Sequence, residues 1–163
     1  MSLSKTPWAG VQIVVVLGLH KSGTHAVTKF LSNHFSVDVE PKMRRGAEGD
    51  GVAYLPSGRK LWKHSFPACC KLHNESRIGV VITTRHPVSW IASLAEESFN
   101  IRPASDNKDN GGFPLELLLQ PTDVRISLQR PGQFPGMQED YRSSSAVDLW
   151  GDYMHEYFLS RQE

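Results

Sequence analysis

The sequence predicts one α/β domain over residues 1–163, three-layered, with helices on both faces of a mainly parallel sheet. Two observations carry that expectation. Val11–Leu17, interrupted only by Gln12, and Ile78–Thr84 are apolar runs rich in β-branched residues, the pattern of strands buried on both faces. Each run is followed by a turn and then by apolar residues at helical spacing. With 163 residues, the chain can bury a sizeable core but has little to spare for a second domain.

After the first strand, Gly18–Gly23 reads as a turn and Thr24 as the cap of a helix running to about Phe35, with Val27, Phe30, Leu31 and His34 on one face. Ser36–Arg59 is punctuated by glycine and proline and reads mostly as loop, with a short strand at Val52–Leu55. Lys60–Phe66 is expected to be a strand stopped by Pro67, and Ala68–Asn74 a short helix. After the strand Ile78–Thr84, Pro87 suits the first turn of a helix with Val88, Ile91, Ala92, Ala95 and Phe99 facing inward. Ile101–Pro114 and Pro121–Gly136 read as loops, with a helical turn or two at Leu115–Gln120 between them. Ser144–Leu159 closes the chain as a helix expected to turn Val147, Trp150, Met154, Tyr157 and Phe158 to one side.

Composition excludes some classes of function. With 18 basic against 17 acidic residues there is no electrostatic footprint for a nucleic-acid polymer. The first apolar run is too short to span a bilayer and lacks a signal peptide's layout, so no membrane segment is expected. Cys69 and Cys70 are adjacent and are the only cysteines, which gives neither a disulfide framework nor a cysteine-built metal site. A cytoplasmic location is the resulting expectation.

The chemistry concentrates in "LGLHKSGTHAV", Leu17–Val27. A strand, a glycine turn and a helix aim backbone N–H groups and the helix dipole at one point, which favours an anion. Gly23 permits close approach, Ser22 and Thr24 bring hydroxyls, and Lys21 brings charge. The common phosphate loop G-x-x-x-x-G-K-[ST] has its lysine after the second glycine. Here Thr24 takes that place, and the lysine comes two residues before Gly23.

The run K-S-G-T between a buried strand and a helix resembles the 5′-phosphosulfate loop of the sulfotransferase superfamily. These are P-loop NTPase-like enzymes that use 3′-phosphoadenosine 5′-phosphosulfate (PAPS). A second likeness is "TTRHPVSWIASL", with Arg85 at a strand end and Ser93 eight residues on, the family's spacing for its 3′-phosphate ligands. A third is "LWKHSFP", similar to the family's K-x-H-x-P strand, although Lys63 and His64 are adjacent here and Pro67 comes one residue late. In a strand, that adjacency would turn Lys63 away from the face of His64.

The resemblance implies a PAPS site of Lys21, Ser22, Gly23, Thr24, His25, Arg85 and Ser93. It gives His64 the role of general base, with His20 and His25 as competitors, and Lys21 that of stabilising the leaving oxygen. It implies no metal. The acceptor would be a small molecule or a glycan, met by the loops Ser36–Arg59 and Ile101–Ser143. Family members continue through a basic loop, R-K-G-x-x-G-D-W, which Gln129–Gly136 matches poorly, so a C-terminally short or truncated relative is expected. Two other readings stay open: a non-catalytic anion- or nucleotide-binding module, and an ATP-dependent phosphotransferase, which the missing G-K-[ST] disfavours.

Overall fold

The central strand β1 (Ile13–Gly18) lies between two parallel neighbours, β2 (Asp38–Glu40) and β5 (Ile78–Thr83), in the order β2-β1-β5. The computed structural model describes residues 10–42, 51–64, 72, 77–96, 101–103, 124–127 and 140–158. Between β2 and β5 runs an antiparallel hairpin, β3 (Val52–Tyr54) and β4 (Lys60–Trp62). A three-stranded antiparallel sheet follows, β6 (Ile101–Pro103), β7 (Val124–Ser127) and β8 (Asp140–Ser143), in that order. The helices are α1 (Thr24–His34), α2 (Pro87–Glu96) and α3 (Ala146–Phe158). The chain is therefore α/β, with a small parallel sheet at its centre.

Strand alternation explains why β1 reads as a continuous apolar run. Val14 and Val16 pack with Val39 and with Leu31 of α1, while Val15 and Leu17 join Trp90, Ile91 and Leu94 of α2 and Leu149, Tyr153 and Tyr157 of α3. Both sets are buried, so neither face of β1 tolerates a polar residue. Each of these side chains contributes about 1.5–3 kcal/mol by leaving water.

The helical faces match the sequence expectation at Val27, Leu31, Ile91, Ala95, Trp150, Met154 and Tyr157, which are buried or packed against the core, and differ elsewhere. In α1 the buried residues are Thr24, Thr28 and Leu31, whereas Phe30 is 56% exposed and His34 lies outside. In α2 Trp90, Ile91 and Leu94 face inward, and Val88 and Ala92 face solvent. In α3 Ala146, Leu149, Tyr153 and Tyr157 are buried, and Val147 and Phe158 are exposed. The stretch Lys60–Phe66 forms a strand only to Trp62, paired antiparallel to β3, and Lys63 and His64 follow in a turn. The strands β2, β6 and β7 occupy segments the sequence marks as loop. The expected elements at 68–74 (apart from Leu72) and 115–120, the inward Phe99, the two cysteines, residues 43–50 of the first acceptor loop and most of the second lie outside the described residues. Among the described residues, no helix is long and apolar enough to cross a membrane.

Candidate anion-binding site

The turn after β1 is fixed from several directions. Ser22 N–H donates to Leu19 O at 3.1 Å, and Lys21 takes a left-handed backbone, with φ 62°. Gly23 follows with φ 88° as the N-cap of α1, a conformation that glycine adopts without the cost a Cβ imposes. Thr24 was expected to cap the helix; instead it is the first helical residue, buried, and its carbonyl accepts a bond from Thr28 Oγ1 at 2.9 Å. Among the described residues no side chain caps α1, which leaves its first N–H groups to a ligand at the turn. The space where a Gly23 side chain would stand is open, with nothing among the described residues within 4 Å.

Gly18 marks a closer fit. A Cβ there would run into Thr83 Oγ1, and would come within 2.5 Å of Thr83 O and 2.6 Å of Ser22 Oγ. Thr83 Oγ1 donates to Leu17 O at 3.2 Å, which makes Ser22 the donor in its 2.8 Å bond to Thr83 Oγ1. The Ser22 hydroxyl proton is thus directed at β5 rather than at the turn's open side. Its backbone belongs to the turn.

Arg85 and Ser93 meet. Arg85 Nη1 donates to Ser93 Oγ at 2.5 Å and to Lys21 O at 3.3 Å, and Ser93 Oγ donates to Ser89 O at 3.1 Å. The guanidinium is exposed and joins the turn to the first two turns of α2. Two tryptophans hold the backbone around it. Trp90 Nε1 donates to His20 O at 2.7 Å, and Trp150 Nε1 donates to Arg85 O at 3.0 Å.

On the edge of β1 away from β5, the end of the hairpin takes over. Gly18 N–H donates to Lys63 O at 2.9 Å, and His64 Nδ1 donates to Gly18 O at 2.6 Å. That bond leaves the lone pair of a neutral His64 on Nε2. Tyr153 OH donates to His64 O at 2.7 Å. The His64 ring stacks on His20, with centroids 3.9 Å apart, and both meet the edge of Trp62. Burial pushes His64 well below the ordinary imidazole range, helped by the neighbouring His20 and Lys63. Burial, then the charges of Lys63 and Lys21, brings His20 down to about 3. Neither ring nitrogen of His20 has a hydrogen-bond partner among the described residues.

His25, in the first turn of α1, lies against Lys63, with Nε2 and Nζ 2.7 Å apart. Lys63 is buried, and that burial lowers it to about 8; burial and Lys63 likewise lower His25. Because Lys63 and His64 sit in a turn beyond β4, strand alternation does not separate them. Both reach the loop, Lys63 towards α1 and His64 towards the end of β1.

All eight residues singled out in the sequence lie in this region. Arg85, Ser93 and Lys21 are joined directly, His25 contacts Lys63, and His64 is tied to the Gly18 carbonyl. Sequence reasoning missed Thr83, Lys63, Trp90, Trp150 and Tyr153 as positioning residues. A polar Thr83 closing an apolar strand was the available signal for one of them. Among the described residues, no group of three or more His, Cys, Asp or Glu side chains is placed to hold a metal ion. No protein-family model, curated protein or solved structure matches the chain.

Proposed function

We propose that the chain is a PAPS-dependent sulfotransferase of P-loop NTPase-like, three-layer architecture, moving a sulfuryl group to a hydroxyl or amine of a small-molecule or glycan acceptor. The observation that carries this reading is the Arg85 guanidinium. It bonds both the carbonyl of Lys21 and the hydroxyl of Ser93, so two motifs far apart in sequence converge on one uncapped helix start. The packing of α1 against one face of β1, and of α2 and α3 against the other, supports the layered architecture.

The residues present fit a nucleotide with two separated phosphates. The amides of Gly23 and Thr24, the open side of Gly23 and the Lys21 charge would hold a 5′-phosphate group, on a turn that the Ser22 N–H bond to Leu19 O fixes. Arg85 offers a fork of donors for a second phosphate, with Ser93 beside it and His25 flanking the first. PAPS, when bound, would supply the sulfuryl group and a phosphate leaving group. Lys21 would stabilise the negative charge that grows on the leaving oxygen. His64, neutral at physiological pH and with its lone pair on Nε2, would accept the acceptor's proton, a role typically worth about 10²–10⁴-fold.

A second reading, an anion-binding module without turnover, draws on the burial of His64. Its ring is stacked on His20 and tied to a backbone carbonyl, as a structural histidine would be. Calorimetric titration with adenosine 3′,5′-bisphosphate and, separately, with magnesium-ATP tests the shared binding step. Preference for the bisphosphate, lost in Lys21→Ala, is the expected result; tighter binding of magnesium-ATP would sink the reading. Release of bisphosphate from PAPS then separates enzyme from binding module.

A further inference from the structure

We infer that Lys63 and His25 form a proton-linked arm of the anion site: Lys63 closes the loop from the hairpin side and takes up a proton when an anion binds. The inference rests on the reading above for the identity of that anion, a phosphate or phosphosulfate group.

Lys63 is 7% exposed, yet no carboxylate among the described residues pairs with it. A buried cation ordinarily has a compensating charge. Its partner is instead the neutral His25, whose Nε2 lone pair accepts from Nζ at 2.7 Å. The location compounds the problem. The first turn of α1 already carries the positive end of the helix dipole, where a cation is unfavourable unless an anion lies nearby.

The lysine is also built in. Gly51, with φ 65°, presents no side chain to it, and a Cβ there would stand 2.9 Å from Lys63 Cε. Lys63 N–H donates to Gly51 O, and Lys63 O accepts from Gly18 N–H, each at 2.9 Å. The backbone is therefore gripped on both sides, and the side chain is directed at α1.

Among the described residues, the titratable groups around it are all basic: His25 on α1, His64 beside it in the turn, and His20 and Lys21 in the loop after β1. Lys63 lowers His20, His64 and His25, which places its charge within reach of all three. Its own descent to about 8 comes from burial. An anion in the loop reverses this balance and favours the ammonium. At pH 8 the free protein carries Lys63 about half protonated, so binding takes up roughly half a proton. Affinity falls as pH rises through 8, because the ammonium needed for binding is then lost from the free protein.

The test is calorimetry at pH 8 in two buffers of different ionisation enthalpy, with adenosine 3′,5′-bisphosphate and with inorganic sulfate as separate probes. Wild-type protein is expected to take up about half a proton. Lys63→Met should abolish the uptake and weaken binding on the order of tenfold at pH 7. Lys63→Arg, charged at every working pH, should bind without uptake, which keeps the test decisive if the methionine variant fails to fold. Bisphosphate binding without uptake, or with uptake that persists in Lys63→Arg, overturns the inference and leaves the nucleotide reading standing. Lys63-dependent uptake with sulfate alone does the reverse. Failure of both probes to bind overturns both.

Discussion

Arg85 and Lys63 approach the same loop from the two edges of β1, and they are held in opposite ways. Arg85 is exposed and its charge is permanent; it is satisfied by Ser93 and by the Lys21 carbonyl, and it stands on the strand-to-helix junction after β5. Lys63 is buried, titratable and, among the described residues, paired with a neutral imidazole and no carboxylate, in a turn after the hairpin. The β5 edge supplies a grip that does not depend on pH. The hairpin edge supplies one that does, along with two buried imidazoles whose neutrality the fold requires. Position alone does not make a cation a ligand; what satisfies it before the ligand arrives decides how it will respond.

Acid should break this contrast most strongly. His20 titrates at about 3 in the fold against about 6.5 unfolded, so its contribution is intact above pH 6.5 and is lost as pH falls. Each unit below 6.5 costs about 1.4 kcal/mol from this ring, and His64 adds a loss of the same sign. By pH 4.5 denaturant melts should therefore show about 3 kcal/mol lost through His20 alone. His20→Leu removes that part of the slope. At neutral pH it should be close to neutral or stabilising, since neither ring nitrogen has a partner to lose among the described residues.

Gly18→Ala comes next. Its Cβ meets β5 backbone that cannot swing aside, so a loss of about 1–3 kcal/mol is expected in urea unfolding, with both arms disturbed together. Arg85→Ala is a cleaner cut. It should weaken bisphosphate binding by about 1.5–3 kcal/mol at every pH and leave the pH dependence from Lys63 in place, as read by calorimetry at pH 7 and 9. The smallest effect belongs to Tyr153→Phe, which removes one buried bond to His64 O and should cost about 1 kcal/mol of stability.

The parallel centre of the fold is legible in the sequence because its signal is local and doubly enforced. Val14, Val15, Val16 and Leu17 are all apolar since both faces of β1 are covered. The glycine turn, the start of α1 and the junction at Arg85 follow from residue chemistry within a few positions. The helical faces were less legible. Val88, Val147 and Phe158 are apolar but exposed, while Trp90 turns inward and finds His20 O for its indole N–H. Burial there is settled by a partner distant in sequence. The strands β6, β7 and β8 depend on each other in the same way. Lys63 and His64 misled for a narrower reason: the alternation rule assumes a strand, and the strand ends at Trp62.

The most direct test of the account is a crystal structure of the complex with adenosine 3′,5′-bisphosphate. The account predicts the 5′-phosphate on the amides of Gly23 and Thr24, and the 3′-phosphate on Arg85 and Ser93. A nucleotide bound with neither phosphate at these residues would contradict it.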